Sequence, residues 1–143
     1  MVNAGFACFF LGFESGAGAW QTATGGKVNA GEFDAAVKYL REAGASAIFA
    51  YIIAGHPDEE AQESENSILF ARRLGVRVML SEFSPIPGTI DGQKCARWAD
   101  LAEPLSQNKT AFTLRRLGAD RLNRLKDLSR REVLAKPAHF III

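Results

Sequence analysis

Cysteine is scarce: 143 residues contain only Cys8 and Cys95. Two thiols so far apart supply no disulfide framework and no cysteine-rich metal pattern, and they point to a reducing, cytoplasmic compartment. No apolar run approaches the roughly 18 to 20 residues of a membrane span, so no membrane partner is expected. The opening MVNAGFACFF has no basic segment ahead of its apolar residues, which excludes the pattern of a secretory signal. Net charge is only +1, so bulk electrostatics single out no partner. Internal repeats beyond the βα period and low-complexity segments are also absent.

What is present is a chain able to bury one core, with 48% hydrophobic residues. Residues 47–53, AIFAYII, form an apolar run rich in aromatic and β-branched types, as expected of a strand buried on both faces. Residues 6–13 read as another buried strand and residues 76–83 as a third strand. Between the first two, Asn29 and Glu32 have capping-box spacing and open a helix expected over 30–43, with Phe33, Ala36, Val37 and Leu40 on one face and Gly44 after its end. A second helix is expected from Asp58, carrying Ile68, Leu69, Ala71 and Leu74 inward and Arg72 and Arg73 in its last turn. The order β, α, β, α, β, with strand starts some 30 to 40 residues apart, predicts an α/β fold of three parallel βα units. A short helix at 94–102, broken at Pro104, and one long or two joined helices at 109–134 follow. Leu114, Leu117, Leu122, Leu125, Leu128 and Val133 supply the apolar side there, and Gly118 marks a joint. The expected organisation is the three βα units over 1–90 and a helical extension over 91–143 packed on the same domain. Charge follows this division: residues 1–104 carry 8 basic and 13 acidic groups, residues 105–143 carry 9 basic and 3 acidic. The basic end is therefore solvated on one side, docked on the acidic part, or turned toward an anionic partner.

In a parallel arrangement the segments after the strands emerge at one end of the sheet, where free backbone N–H groups and adjustable loops gather ligands. Those segments are Glu14-Ser15-Gly16, Gly55-His56-Pro57-Asp58 and Ser84-Pro85-Ile86-Pro87-Gly88-Thr89. Simpler motifs fail on spacing. Gly25-Gly26-Lys27 is followed by Val28 instead of Ser or Thr, Gly16-Ala17-Gly18 meets Gln21 where a third glycine belongs, and Ser15 comes one residue late for a GxSxG elbow. Ser15 reads as a turn residue or ligand donor. Glu14, a carboxylate directly after an apolar strand, should face an open cleft or pair with Lys27. His56 reads as an exposed turn residue without metal-ligand partners at diagnostic spacing, and Glu82 as a cleft or edge carboxylate.

Five ordered segments resemble the second half of the radical S-adenosylmethionine (SAM) superfamily, especially the group whose members can carry a cobalamin-binding domain. They are LGFESGAG (11–18), EFDAAVKYLREAG (32–44), AYIIAGHPDEE (50–60), SILFARRLGV (67–76) and SEFSPIPGT (81–89). The resemblance implies the last three units of a partial TIM-like barrel. It also implies that Glu14 and Ser15 lie near the ribose and methionyl part of SAM, that Ile53 and Gly55 border its adenine, and that Ser84, Pro85 and Pro87 close the adenine side. The family's CxxxCxxC sequence is absent, so the 4Fe-4S cluster belongs to a complete parent enzyme and not to this chain, and no catalytic or metal residue is assigned. Tyr51 and Asp58 stand where the family often has glycine.

The expected function is thus that of a C-terminal fragment or truncated homologue, inactive alone, supplying part of a SAM pocket and needing the missing N-terminal half of the barrel. The alternative is a non-catalytic α/β binding module that self-associates through open sheet edges. A third reading, RNA binding through Arg115, Arg116, Arg121, Arg124, Arg130 and Arg131, ranks below both.

Overall fold

The apolar runs are strands in the computed structural model, which describes residues 1–16, 28–60 and 62–131. Strands β1 (Cys8–Glu14), β2 (Ala47–Ala54) and β3 (Arg77–Glu82) form one parallel sheet in that order. Phe10 lies beside Phe49 and Phe49 beside Arg77; one pleat further, Gly12, Tyr51 and Met79 are in register. Helices α1 (Ala30–Glu42) and α2 (Glu63–Arg73) connect the strands, and α3 (Ile90–Cys95), α4 (Lys109–Leu117) and α5 (Ala119–Arg130) follow. The fold is α/β with an open parallel sheet and C-terminal helices, as expected.

Local chemistry explains where most helices begin. Asn29 accepts from the Glu32 N–H at 3.0 Å while Glu32 accepts from the Asn29 N–H at 2.9 Å, the expected capping box. Gly44 follows α1 at φ 92°. Helix α2 starts later than expected, at Glu63 and not at Asp58, because Glu59 is drawn back over the turn. Its carboxylate accepts from the Gly55 N–H and from the Ser64 hydroxyl, and its own N–H donates to the His56 carbonyl at 2.9 Å. Acids still begin α2 and Arg72 and Arg73 end it, which suits the macrodipole.

Ile68 and Ala71 face inward, but Leu69 is exposed, since Ser64 and Ser67 share the inner face with them. The expected helix at 94–102 is replaced by α3, which starts earlier because Thr89 accepts from the Gly92 N–H at 2.9 Å. Pro104 opens a short 3-10 helix, Pro104–Gln107, instead of breaking one. Gly118, at φ 80°, separates α4 from α5, as its position predicted. Leu114 is exposed, contrary to expectation, because α4 turns Phe112 and Thr113 inward. Lys27, Val133 and the HFIII end lie outside the described residues.

The core sits on one side of the sheet. Phe13, Ile48, Ala50, Ile52, Ala54 and Val78 pack there against Phe33 and Val37 of α1, Ile68 and Ala71 of α2, and Leu125 of α5. Among the described residues no helix covers the opposite side, where Phe10 is 55% exposed, Tyr51 43% and Met79 43%. The expectation of strands buried on both faces is therefore corrected for β1 and β2, which alternate between the two environments. A continuous apolar run contains no alternation from which that difference can be read.

Candidate functional site

At the carboxyl ends of the strands the backbone departs from extended geometry. The β1–β2 register shifts between Gly12 and Glu14, and Glu14 sits at φ 57°, a left-handed conformation costly for a residue with a side chain. Gly55 closes β2 at φ 87°, where glycine carries no such penalty. The chain turns sharply there, and the turn is fixed by Glu59 and Ser64. The Ser64 hydroxyl, whose proton goes to Glu59, also lies 3.3 Å from the Ile53 carbonyl, so the first turn of α2 sits against the end of β2.

The residues expected at a ligand site fall into two groups. Ser15 and Ile53 line one small cavity of about 10 Å³ with His56, Glu59, Glu63 and Ser64, a space for roughly one water molecule. Gly55 adjoins this group through its bond to Glu59, and Glu14 is half-buried at the end of β1. Ser84, Pro85 and Pro87 lie elsewhere. Ser84 donates to the Gln107 carbonyl at 2.8 Å, Pro85 is buried, and Pro87 borders an open hollow of about 510 Å³ with Gly88, Gly92, Gln93 and Ala96.

His56 is only 5% exposed, which corrects its reading as a surface turn residue. Phe83, from the end of β3, meets its ring edge-on at 4.8 Å, and Asp91 of α3 approaches Nε2 at 3.4 Å. The Asp58 N–H donates to Nδ1 at 3.2 Å. Because Nδ1 accepts this bond, the proton of the neutral ring is on Nε2, facing Asp91. Lys94 completes the cluster: its ammonium bonds Asp58 and lies 3.3 Å from Asp91. The Asp58 hydrogen bond outweighs desolvation and pushes the Lys94 pKa up.

His56, Asp58 and Asp91 bring three ligand atoms within 4.8 Å of one another, a grouping that could in principle hold a metal ion. The side chains around it fit one poorly. A ligating imidazole normally presents a lone pair to the metal and donates its other N–H outward, whereas His56 accepts from a backbone N–H and turns its proton toward Asp91. The position between the two carboxylates is filled by Lys94. The arrangement works as an internal ionic clasp that holds the β2–α2 turn against α3.

A second clasp lies beside it. The Arg97 guanidinium sits 3.8 Å over the Trp98 ring and that of Arg116 4.9 Å from it, within cation–π range. Arg97 donates to the Pro57 carbonyl at 3.2 Å and Arg116 to the Glu59 carbonyl at 2.6 Å. Burial pushes the Arg116 pKa down, opposed by the charge of Glu59. Cys95 packs with Ala99 and Phe112 in a small second core, and burial pushes its thiol pKa up, the reverse of what an attacking thiolate requires. The pairings His56–Asp91, Lys94–Asp58 and Arg116–Glu59 escape sequence reasoning because the partners are distant in the chain; only the packing of α3 and α4 on the β2–α2 turn brings them together.

No protein-family model matches the chain, and no curated protein matches it.

Proposed function

We propose that the chain is the C-terminal half of a radical SAM-type partial barrel and supplies one wall of a nucleoside pocket, with the iron-sulfur cluster belonging to the half that precedes it. The supporting observation is the one-sided sheet. Among the described residues the three parallel strands have helices on one face, the other face exposes Phe10, Tyr51 and Met79 beside Arg77, and the loops gather at one end, as required of a barrel segment whose interior has yet to be closed. Among the described residues no strand pairs with the outer edge of β1.

The two thiols fit the same reading. Cys8 is exposed at the start of β1, while Cys95 is buried near the opposite end of the sheet, so they share no site. Free thiols in both positions suit a reducing cytoplasm. The roughly 10 Å³ beside Ser15 and Ile53 is far below the 300 Å³ or more of a ligand pocket. A nucleoside would therefore lie against the strand ends from the uncovered side, reached by Ile53 and its register partner Ser81.

Calorimetric titration of the full chain with SAM tests the proposal. We expect weak, saturable binding, reduced about tenfold or more by Ile53→Lys, which places an ammonium against the adenine side. Absence of saturable heat, or binding indifferent to that substitution, would overturn the pocket assignment.

A further inference from the structure

We propose that the hollow between the start of β3 and the end of α5 is a binding site for a small organic phosphate, with Arg77, Arg130 and Arg131 holding its phosphoryl group. The hollow measures about 480 Å³, within the range of small-molecule pockets, whereas the space beside Ser15 and Ile53 holds about one water. The two lie at opposite ends of the sheet, so the proposal stands apart from the SAM reading. Helix α5 frames the site by running back along β3. Lys126 is bonded to Glu82 at the end of the strand, which brings Arg130 and Arg131 to its start, where Arg77 pairs in register with Phe49. Among the described residues β3 is the outer strand there, so a half-barrel joined along β1 leaves the site accessible.

Charge identifies the ligand. Three guanidiniums, cationic at any physiological pH, border the hollow, and among the described residues no carboxylate lines it or pairs with any of the three. Arg77 lies 5.7 Å from the centre of the Phe49 ring, a contact that positions the side chain and leaves its N–H donors free. Arg97, Arg116 and Arg124, by contrast, are engaged by carbonyls or a carboxylate of the protein. The carboxyl end of α5 supplies only about half a negative charge, so an excess of about +2.5 remains. A phosphate monoester, at about −1.5 to −2, offsets most of it. The guanidinium fork also matches phosphoryl oxygens two at a time. The floor sets the rest of the ligand. Phe49, Val78 and Met79 are apolar and Met79 is 43% exposed, so an apolar or aromatic body buries area there that inorganic phosphate cannot.

Calorimetric titration of the full chain with phenyl phosphate, inorganic phosphate and a short single-stranded RNA tests the proposal. We expect saturable binding of phenyl phosphate, about tenfold or more tighter than inorganic phosphate and weakening as salt rises. Arg77→Gln and, separately, Arg130→Gln should each weaken it about tenfold or more. Lys38→Gln, which removes a charge from α1, should leave it unchanged. All three positions are exposed, and circular dichroism checks that each variant folds. Absence of saturable heat, equal affinity for inorganic phosphate, or binding indifferent to both arginine substitutions overturns the proposal. A loss with Lys38→Gln equal to that with Arg77→Gln does so too, as does tighter binding of the RNA, which would make the arginines part of a nucleic-acid track.

Discussion

Gly55→Ala tests whether the turn after β2 is built around a missing side chain. Gly55 is buried at φ 87°, and a Cβ there would lie 2.9 Å from both Thr113 Cγ2 and Thr113 Oγ1 and 3.3 Å from its Cβ. Two costs follow. A side chain in the left-handed region costs about 1–2 kcal/mol, and forcing extra volume into a packed site costs about 1–3 kcal/mol. Thr113 cannot easily yield, because it is fully buried on α4 and its hydroxyl donates to the Phe83 carbonyl at 3.4 Å. The combined loss is about 3 kcal/mol, which for a chain of this size lowers Tm by about 10 °C. Thermal and urea denaturation followed by circular dichroism read it directly. The double variant with Thr113→Ala removes the two closest atoms and should show a favourable coupling of about 1–2 kcal/mol, leaving the backbone cost in place. Gly55→Ala within about 0.5 kcal/mol of wild type would refute the packing argument. Complete recovery in the double variant would refute the backbone argument.

Two further outcomes follow from the same packing. Burial raises the Glu82 pKa, but the Lys126 ammonium, 2.6 Å away, outweighs it and holds the carboxyl below its usual range. A depressed carboxylate stabilises the fold above its unfolded pKa of about 4.3 and loses that contribution as pH falls through the folded value. Glu82→Gln should therefore cost about 2 kcal/mol near neutral pH, a difference that shrinks in urea titrations below about pH 4; a difference unchanged at about pH 3 would count against it. Gly92→Ala would drive a Cβ into the Ile86 carbonyl oxygen, a backbone atom that cannot rotate away. It should cost about 3 kcal/mol and speed amide hydrogen exchange over 84–92, so unchanged protection there would contradict the contact.

The fold was legible where its determinants are local. The Asn29–Glu32 capping box, the glycines after α1 and between α4 and α5, and the three apolar runs each act within a few residues, and each appears where its chemistry requires. The start of α2 was not legible, because a carboxylate reaching back four residues to Gly55 competes with helix initiation. The burial of His56 was hidden for another reason: Phe83 and Asp91, which enclose it, come from beyond β3. The strand-end loops did emerge together, but the loops differ in what they touch. Ser15 and Ile53 share a cavity with His56, while Ser84 is bound to the Gln107 carbonyl and Pro87 faces another hollow.

The charge asymmetry of the sequence resolves into docking contacts. Lys126 meets Glu82 at 2.6 Å, Arg124 meets Glu65 at 2.8 Å, and Arg116 reaches the Glu59 carbonyl, so the basic helices α4 and α5 are held by the acidic first part of the chain. The Arg124 hydrogen bond also lowers the pKa of Glu65. These attractions are unequal in strength. The Lys126–Glu82 pair is largely sheltered and resists screening, whereas Arg124 is 71% exposed and its pair contributes little. Cations used in this way are less free to neutralise phosphates, and affinity for a nucleic acid scales with the number that do. Of the six arginines considered for RNA, Arg116 and Arg124 are turned toward the protein itself and Arg115 donates to Ser106 at 3.1 Å. Arg130 and Arg131 border the hollow beside Phe49 and Met79. The basic end is thus divided between holding α4 and α5 in place and bordering the hollow beside Phe49 and Met79.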